Sequence, residues 1–275
     1  MKRVLTIAGS DSGGGAGIQA DLKTFCAFGV FGMCAVTSVT AQNTCQVKAV
    51  FDLPPDMVSS QIEVVMSDIG VDAVKIGMLS NSVIIQAVAH TFDKYPVEKL
   101  VIDPVMIAKS GDRLIKEEAV TTLVENLFPR ALLVTPNLDE ASLLSGLAVR
   151  SLEDMKTAAQ KIKELGPRFV LVKGGHLPGE ELVDVLFDGQ KFFLYPGKRV
   201  FTKNTHGTGC SYSSAIASLL AWEKSVPEAV KEAREYMSLL VVHSLSLGKG
   251  HGPVNHLAPV FLKEGLDPQV GGRLW

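Results

Sequence analysis

Short runs rich in valine and isoleucine recur along the chain and constrain its fold more than any other feature. Six of them are expected to be buried strands, at residues 3–9, 32–39, 72–78, 99–105, 131–137 and 169–175. The segments between them carry apolar residues at helical spacing. Because strands that alternate with such helices form mostly parallel sheets covered on both faces, the sequence predicts an α/β fold.

The C-terminal third breaks this alternation. In residues 183–200 the pair Asp188-Gly189 is a hairpin turn signal between two apolar runs, so antiparallel strands are expected there. Two long helices should follow, at about 208–223 and 226–246. Because no repeat, low-complexity segment or linker divides the sequence, residues 1–275 are predicted to form one domain.

Composition excludes several function classes. The 275 residues carry a net charge of −2, with 47% hydrophobic and 20% charged residues, so no basic surface for nucleic acid is expected. Residues 24–47 lack charge but hold too many polar groups for a membrane span, and they are predicted to be a helix end followed by a buried strand. The four cysteines form no CxxC pair, which indicates reduced thiols in a cytoplasmic protein.

Polar residues follow several predicted strands. The segments GSDSGGGAG, DPVM, TPNLDE and KGGH begin at residues 9, 103, 135 and 173. Ligands of open α/β sheets bind beyond the carboxyl ends of the strands, so one binding site is expected at this edge.

The first glycine-rich segment matches neither common nucleotide motif. Residues 15–20 fit a loose dinucleotide pattern, but no acidic residue lies between Asp21 and Asp52 to hold a ribose, and a Walker motif is absent from the sequence. The segment is either a flexible glycine turn or part of a binding site, and Asp21 in the following helix favours the binding site.

Three further positions carry suitable side chains. Asp103 and Glu140 would suit Mg²⁺, which takes one or two carboxylates together with waters and substrate phosphates. Asn137 lies on the same side of a helix as Glu140, and it could instead cap that helix. Gln42 is either a loop amide or the group that pairs with donor and acceptor atoms of a heteroaromatic ring.

The segment NTHGTGC, residues 204–210, predicts an anion site. The amides of Gly207, Thr208, Gly209 and Cys210 would lie at a helix start, where the helix dipole favours anions. A helix start also lowers the pKa of a cysteine, so Cys210 is expected to accept the proton of an incoming hydroxyl group. A helix start that merely packs on the sheet is the alternative, and no protease signature surrounds the thiol.

Eight segments in order closely resemble one family. TIAGSDSGGGAGIQADLKT, AQNTC, KIGML, DPVMIAKSGD, TPNLDEA, KGGH, NTHGTGC and GKGHGPV are similar to the hydroxymethylpyrimidine/phosphomethylpyrimidine kinases of thiamine biosynthesis, in the ribokinase-like superfamily. The resemblance implies a three-layer α/β/α fold, a homodimer, and ATP- and Mg²⁺-dependent phosphorylation of a pyrimidine alcohol and then of its monophosphate. A related group with the same cysteine phosphorylates pyridoxal, and a non-catalytic ligand sensor of the same fold is a further alternative.

The resemblance also implies roles for individual residues. The pyrimidine would be held by Gln42, Asp21, Gly9 and Met78, and catalysis would use Gly207, Thr208, Gly209 and Cys210. Asp103 and Glu140 would hold Mg²⁺, and the nucleotide would contact Lys173, Lys249, Lys109 and Asn137. Lys109 lies in the segment AKSGD, residues 108–112, which is expected to cover the site as a lid.

Overall fold

Nine strands of the described chain form a single sheet. The computed structural model describes residues 1–106, 117–175, 177 and 179–269. Its strands are β1 (Arg3–Asp11), β2 (Phe31–Gln42), β3 (Val47–Asp52), β4 (Ala73–Ile76), β5 (Leu100–Ile102), β6 (Leu133–Val134), β7 (Phe169–Val172), β8 (Glu181–Phe187) and β9 (Phe192–Lys198). They lie in the order β3-β2-β1-β4-β5-β6-β7-β8-β9.

The central strands of this sheet are parallel. Strands β2, β1, β4, β5, β6 and β7 run in one direction, so their carboxyl ends meet at one edge. The outer strand β3 is antiparallel to β2, and β8 and β9 add an antiparallel hairpin beside β7. The mostly parallel sheet and the hairpin predicted from the sequence are both confirmed.

Helices cover both faces of the sheet. One face carries α1 (Gly17–Ala27), α7 (Thr208–Ala221) and α8 (Val226–Val242). The other carries α2 (Pro55–Asp68), α3 (Ser82–Lys94), α4 (Glu117–Asn126), α5 (Leu138–Ser145) and α6 (Leu152–Lys163). A short helix, α9 (Ala258–Lys263), lies against α8. The three-layer α/β/α architecture implied by the resemblance is therefore confirmed.

Strand alternation builds one hydrophobic core on each face. Successive strand side chains point to opposite sides, so Val4 packs with α1, α7 and α8 while Leu5 packs with the opposite layer. In β4, Val74 and Ile76 join the α2–α6 side. The same alternation turns Lys75 toward α1 and α7, which places a charged side chain inside the second core.

The sequence analysis missed β3 and overestimated the length of the central strands. Four of the six residues of β3 are exposed, so the strand lacks the buried alternating face that a periodicity argument detects. β5 and β6 have only three and two residues, because the chain leaves the sheet where the polar segments DPVM and TPNLDE begin. In the part of the chain that the structure describes, no helix is long and apolar enough to cross a membrane.

Candidate active site

A cavity of about 530 Å³ opens at the carboxyl ends of the parallel strands. Side chains and backbone from the ends of β1, β2, β5 and β7 line it, together with the start of α7. The predicted residues that border the cavity are Gly9, Gln42, Met78, Asp103, Asn137, Glu140, Lys173, Gly207, Thr208, Gly209 and Cys210. The parallel sheet thus brings together groups that are far apart in sequence.

The start of α7 forms a tight turn, residues 207–210, which we call the anion turn. Gly207 has φ +84°, and a Cβ there would lie 1.8 Å from the carbonyl oxygen of Gly15. No side chain caps the first turn of α7. The Thr208 amide donates to the Thr205 carbonyl at 3.3 Å, whereas the amides of Gly209 and Cys210 keep their hydrogen-bonding capacity in the part of the chain that the structure describes. This uncapped helix start faces the cavity and suits a phosphate oxygen.

A buried pair fastens the anion turn to the first glycine-rich loop. His206 Nε2 lies 2.8 Å from Asp11 Oδ2, and the Asp11 carboxylate also accepts hydrogen bonds from the amides of Gly13, Gly15 and Ala16. Burial alone would raise the pKa of Asp11, but the hydrogen bonds from His206 and these amides outweigh it and lower the pKa. His206, to which the sequence analysis gave no role, thus joins the anion turn to this loop.

An ion pair lies beside the anion turn. Lys173, after β7, places Nζ 2.7 Å from Oδ1 of Asp103, and Thr135 donates a hydrogen bond of 3.1 Å to the same oxygen. Gly209 packs so close that a Cβ would lie 3.3 Å from Oδ2 of Asp103 and 3.5 Å from Nζ of Lys173. A phosphate at the anion turn would therefore meet Lys173 as well as the helix amides.

Glu140 provides a second carboxylate at this end of the cavity. Its Oε2 accepts the amide of Asn137 at 2.8 Å while Asn137 Oδ1 accepts the amide of Glu140, so the two form a capping box at the start of α5. Burial raises the pKa of Glu140 to about 7; Lys173 opposes this shift and Asp103 adds to it. Asn137 therefore has the capping role that the sequence left open, and it also borders the cavity.

The donor set at this end fits a magnesium ion bound through waters and phosphates. Two carboxylates face one lysine, Lys173, and the pKa of Glu140 is raised first by burial and further by the charge of Asp103. The described residues contain no group of three or more His, Cys, Asp or Glu that could hold a metal ion. Because Mg²⁺ commonly takes only one or two protein carboxylates, Asp103 and Glu140 suit it better than a metal that needs a full protein cage.

The expected lowering of the Cys210 pKa is wrong. Burial raises the pKa of the thiol to about 11, although the charge of Lys75 and a hydrogen bond from the Gly17 amide act in the opposite direction. The nearby carboxylates of Asp21 and Asp103 add to the increase. Because burial and the two carboxylates raise the pKa more than Lys75 and the Gly17 amide lower it, Cys210 is mainly a thiol at neutral pH.

Asp21 does not line the cavity as the resemblance implied. Its side chain is fully buried on α1, where both carboxylate oxygens accept hydrogen bonds from Lys75 Nζ, at 2.9 and 2.8 Å. Thr6 and Ser214 donate to the same carboxylate. Lys75, which the sequence analysis did not single out, borders the cavity in its place. A lysine within an apolar strand was the available signal, since buried lysines are almost always paired.

At the opposite end of the cavity, near β2, the bordering charges of Asp11 and Lys75 are already paired, with His206 and Asp21. Gln42 places Oε1 3.1 Å from Thr40 Oγ1, and the described residues offer no hydrogen-bond partner to its Nε2. Gly9 leaves room for Met78, because a Cβ at Gly9 would lie 2.6 Å from the Met78 methyl group. This end can therefore enclose a flat apolar ring and pair with its polar edge.

One predicted nucleotide contact does not border the cavity, and another falls outside the described residues. Lys249 is exposed and does not border it; the glycines on either side of it pack instead on Thr44. Lys109 and the rest of segment 108–112 lie outside the described residues.

Basic residues that the sequence analysis missed extend the cavity beyond Lys173. Lys198 and Arg199, at the end of β9, border it together with the buried ion pair of Asp184 and Arg234, whose Oδ2 and Nε are 2.9 Å apart. Asp184 also holds the amide of Gly174, next to Lys173, at 2.8 Å. An aspartate inside the apolar run DVLF was the signal for this pair.

Comparison with known proteins decides the family. The family model described as phosphomethylpyrimidine kinase matches residues 11–255. The chain belongs to this family. A member from Bacillus subtilis (strain 168), hydroxymethylpyrimidine/phosphomethylpyrimidine kinase, is 46% identical over 257 residues, which cover 93% of this chain and 95% of that protein.

Two further proteins show the range of the family's relatives. The thiamine biosynthesis bifunctional protein ThiED of Geobacter sulfurreducens is 49% identical over 254 residues, which cover 92% of this chain but 52% of that protein. The chain thus spans about half the length of that relative. The ADP complex of Bacillus subtilis pyridoxal kinase is 40% identical with a TM-score of 0.88, covering 94% of this chain and 99% of that one. The fold is the ribokinase-like fold that these kinases share.

Proposed function

We propose that the chain is an ATP-dependent kinase that phosphorylates 4-amino-5-hydroxymethyl-2-methylpyrimidine and then its monophosphate to the diphosphate. The observation that supports this most is the position of the anion turn. Its uncapped amides lie between the pocket near β2 on one side and the cluster of Asp103, Lys173 and Glu140 on the other. An alcohol and a nucleotide would meet there.

The end near β2 holds the pyrimidine. The amide of Gln42 pairs with the polar edge of the ring, and Met78 contacts its face. The hydroxymethyl group then points toward Cys210 and the anion turn. A ring with no formal charge suits this end, because both carboxylates behind it, Asp11 and Asp21, are already paired with His206 and Lys75.

The charged end holds the phosphates. Lys173 and the amides of the anion turn bind the transferring phosphoryl group, and Lys198 and Arg199 lie farther along the cavity toward the rest of the nucleotide. Asp103 and Glu140 would hold Mg²⁺, which neutralises charge on the phosphates when bound. The phosphates must be bound by this local geometry, since the whole chain has a net charge of −2.

The transfer itself requires one proton acceptor. The substrate oxygen forms a bond to the γ-phosphorus while the bond from that phosphorus to the leaving oxygen of ADP breaks. The hydroxyl proton passes to the sulfur of Cys210 in its thiolate form. With a pKa of about 11, the thiol is rarely ionised at neutral pH, but its thiolate is a strong base. In a loose transition state the bond from the substrate oxygen to phosphorus forms late, so the hydroxyl proton has to leave only late in the transfer.

Pyridoxal is the second candidate substrate. The solved pyridoxal kinase is 40% identical and nearly the same length, so its fold offers a similar cavity. The pyrimidine is favoured because the family model and the 46% identical relative both carry its name.

One assay separates these substrates from each other and from a non-catalytic sensor. The chain is incubated with ATP and Mg²⁺ and with the pyrimidine alcohol, its monophosphate, pyridoxal or no acceptor, and both ADP and phosphorylated product are measured. We expect product from the alcohol and from its monophosphate, with a higher kcat/KM than for pyridoxal. ADP release that no acceptor increases, or a preference for pyridoxal, would contradict the proposal.

The proposal includes a homodimer. Val39 and Phe51 are paired across β2 and β3 and are 49% and 69% exposed, which leaves an apolar face at that side of the sheet. We expect light scattering to give twice the chain mass of 29.5 kDa, and Phe51→Lys to shift it toward the single-chain value. A single-chain mass for the unchanged protein would contradict the dimer.

A further inference from the structure

The segment GKGHG, residues 248–252, contacts the loop that carries Gln42, and its His251 also borders the cavity. We call residues 248–252 the strap and residues 42–46 the substrate loop. The Gly250 amide donates a hydrogen bond of 3.1 Å to Thr44 Oγ1, and the His251 amide donates one of 2.9 Å to the Thr44 carbonyl. Thr44 is therefore held by the strap through both its side chain and its backbone.

The glycines of the strap are required by this contact. Gly248 has φ +77°, and a Cβ there would lie 2.3 Å from Thr44 Oγ1. A Cβ at Gly250 would lie 2.0 Å from the Thr44 carbonyl oxygen. Any larger residue at either position would displace the substrate loop or the strap.

The other end of the strap reaches the anion turn. The Gly252 carbonyl accepts the amide of His206 at 3.1 Å, and the Gly252 amide donates to Oδ1 of Asn204 at 3.2 Å. His206 immediately precedes Gly207, and a parallel bridge joins His206 to Pro253. A continuous set of hydrogen bonds thus runs from Thr44 through the strap to the anion turn.

We propose that the strap sets the distance between the substrate loop and the anion turn, with Thr44 as the positioning residue. The inference rests on the proposed function, because it assumes that Gln42 binds the acceptor and that the anion turn binds the transferring phosphoryl group. When Thr44 is held, the ring bound by Gln42 is held at a fixed distance from the phosphoryl group. Small errors in such a distance reduce the rate of a bimolecular transfer strongly.

The test uses Thr44→Val, which removes the hydroxyl but keeps the shape, and Thr44→Ser, which keeps the hydroxyl. Thr157→Val on α6 is the control, since the Thr157 hydroxyl likewise makes one hydrogen bond to the backbone, although as the donor, to the Glu153 carbonyl at 3.0 Å. We expect Thr44→Val to raise KM for the pyrimidine alcohol and to lower kcat, each about two- to tenfold, the range for one lost hydrogen bond. Thr44→Ser should recover most of both, and the dissociation constant of ADP should stay within about twofold of the unchanged protein.

Gly250→Ala extends the same test. Its Cβ would collide with backbone, so we expect a larger loss than for Thr44→Val, in the same two parameters. Should that variant fail to fold, the Thr44 pair decides. Unchanged KM and kcat in Thr44→Val, or an equal weakening of ADP binding, would overturn the inference.

Amide hydrogen exchange gives a readout that does not need activity. In Thr44→Val, exchange should become faster at the amides of His206, Gly250 and His251, while α6 remains unchanged. Unchanged exchange at His206 would contradict the connection between loop and anion turn. The absence of any phosphorylated product from the unchanged protein would instead contradict the proposed function, and the exchange result would still decide whether the strap connects the two.

Discussion

The two ends of the cavity differ in how their carboxylates are paired with cations. At the pyrimidine end each carboxylate has a partner within hydrogen-bond distance, Asp11 with His206 and Asp21 with Lys75, so none is left to face the ligand. At the phosphate end one lysine, Lys173, lies beside two carboxylates, and burial together with the charge of Asp103 raises the pKa of Glu140 to about 7. The difference indicates which end accepts a neutral ring and which end requires a cation.

The anion turn lies between these ends, and Cys210 should give the largest effect. Cys210→Ala should bind both ligands but lose about 10²–10⁴-fold in kcat, the usual contribution of a general base. Because the pKa of the thiol is about 11, the thiolate fraction grows with pH, so kcat/KM of the unchanged protein should still rise between about pH 8 and 9. A pH-rate profile of both proteins checks this.

Cys210→Asp is the matched variant for this prediction. A carboxylate titrates below a thiol, so the variant should recover part of the rate and lose the rise at alkaline pH. Near-normal turnover in Cys210→Ala would show that the site needs no base and that residues 207–210 act only through their amides.

Removing a charge at the pyrimidine end should affect stability. Lys75→Met leaves the Asp21 carboxylate buried without its cation, which typically costs about 3–5 kcal/mol of unfolding free energy. The double variant Lys75→Met/Asp21→Asn removes both charges and should lose less than Lys75→Met alone. Urea unfolding gives the free energy of unfolding of the unchanged protein and of both variants. If Lys75→Met were as stable as the unchanged protein, this ion pair would not stabilise the fold.

At the phosphate end, removing a charge should stabilise the free protein. The pKa of Glu140 rises from 4.5 to about 7 on folding, so the folded protein binds more protons than the unfolded chain between these values and loses stability as the pH increases. At pH 8 the ionised carboxylate therefore costs on the order of 3 kcal/mol. Glu140→Gln keeps the capping box, since glutamine can serve in it, and should raise the free energy of unfolding at pH 8 but not at pH 4.

The same variant should need more Mg²⁺ for activity. In the unchanged protein kcat/KM at low Mg²⁺ should rise through about pH 7 as Glu140 ionises, and Glu140→Gln should lack this rise. Magnesium titrations at pH 6 and pH 8 test both points. If Glu140→Gln had the same magnesium titration curve as the unchanged protein, Glu140 would not be part of the metal site.

The contrast between the two ends also separates what the sequence could predict from what it could not. Asp103, Asn137 and Lys173 follow parallel strands, and parallel strands end at one edge, so their convergence followed from topology alone. The orientation of Asp21 could not be predicted from topology, because helical spacing does not reveal whether a polar side chain faces a cavity or a buried lysine. The pKa of Cys210 depends on the relative magnitude of burial and helix dipole, which only packing determines.

Contacts between residues that are distant in sequence could not be predicted either. Thr44 and Gly250 are 206 positions apart, and neither residue type indicates the other. The motif that contains Gly250 was therefore assigned to the nucleotide through the exposed Lys249, although its glycines pack on the substrate loop. Glycine motifs are recognisable in a sequence, but what approaches their backbone is not.

The division between the two ends is tested most directly by measuring KM for the pyrimidine alcohol and for ATP, at several Mg²⁺ concentrations, in Gln42→Leu and Glu140→Gln. Gln42→Leu should weaken the binding of the alcohol by about 1–3 kcal/mol, the cost of polar ring atoms left unpaired. KM for ATP should stay within about twofold of the value for the unchanged protein. Glu140→Gln should raise the Mg²⁺ requirement and KM for ATP while KM for the alcohol at saturating Mg²⁺ stays nearly constant. If both variants weakened both ligands to the same extent, the two ends would not act separately, and the account would be wrong.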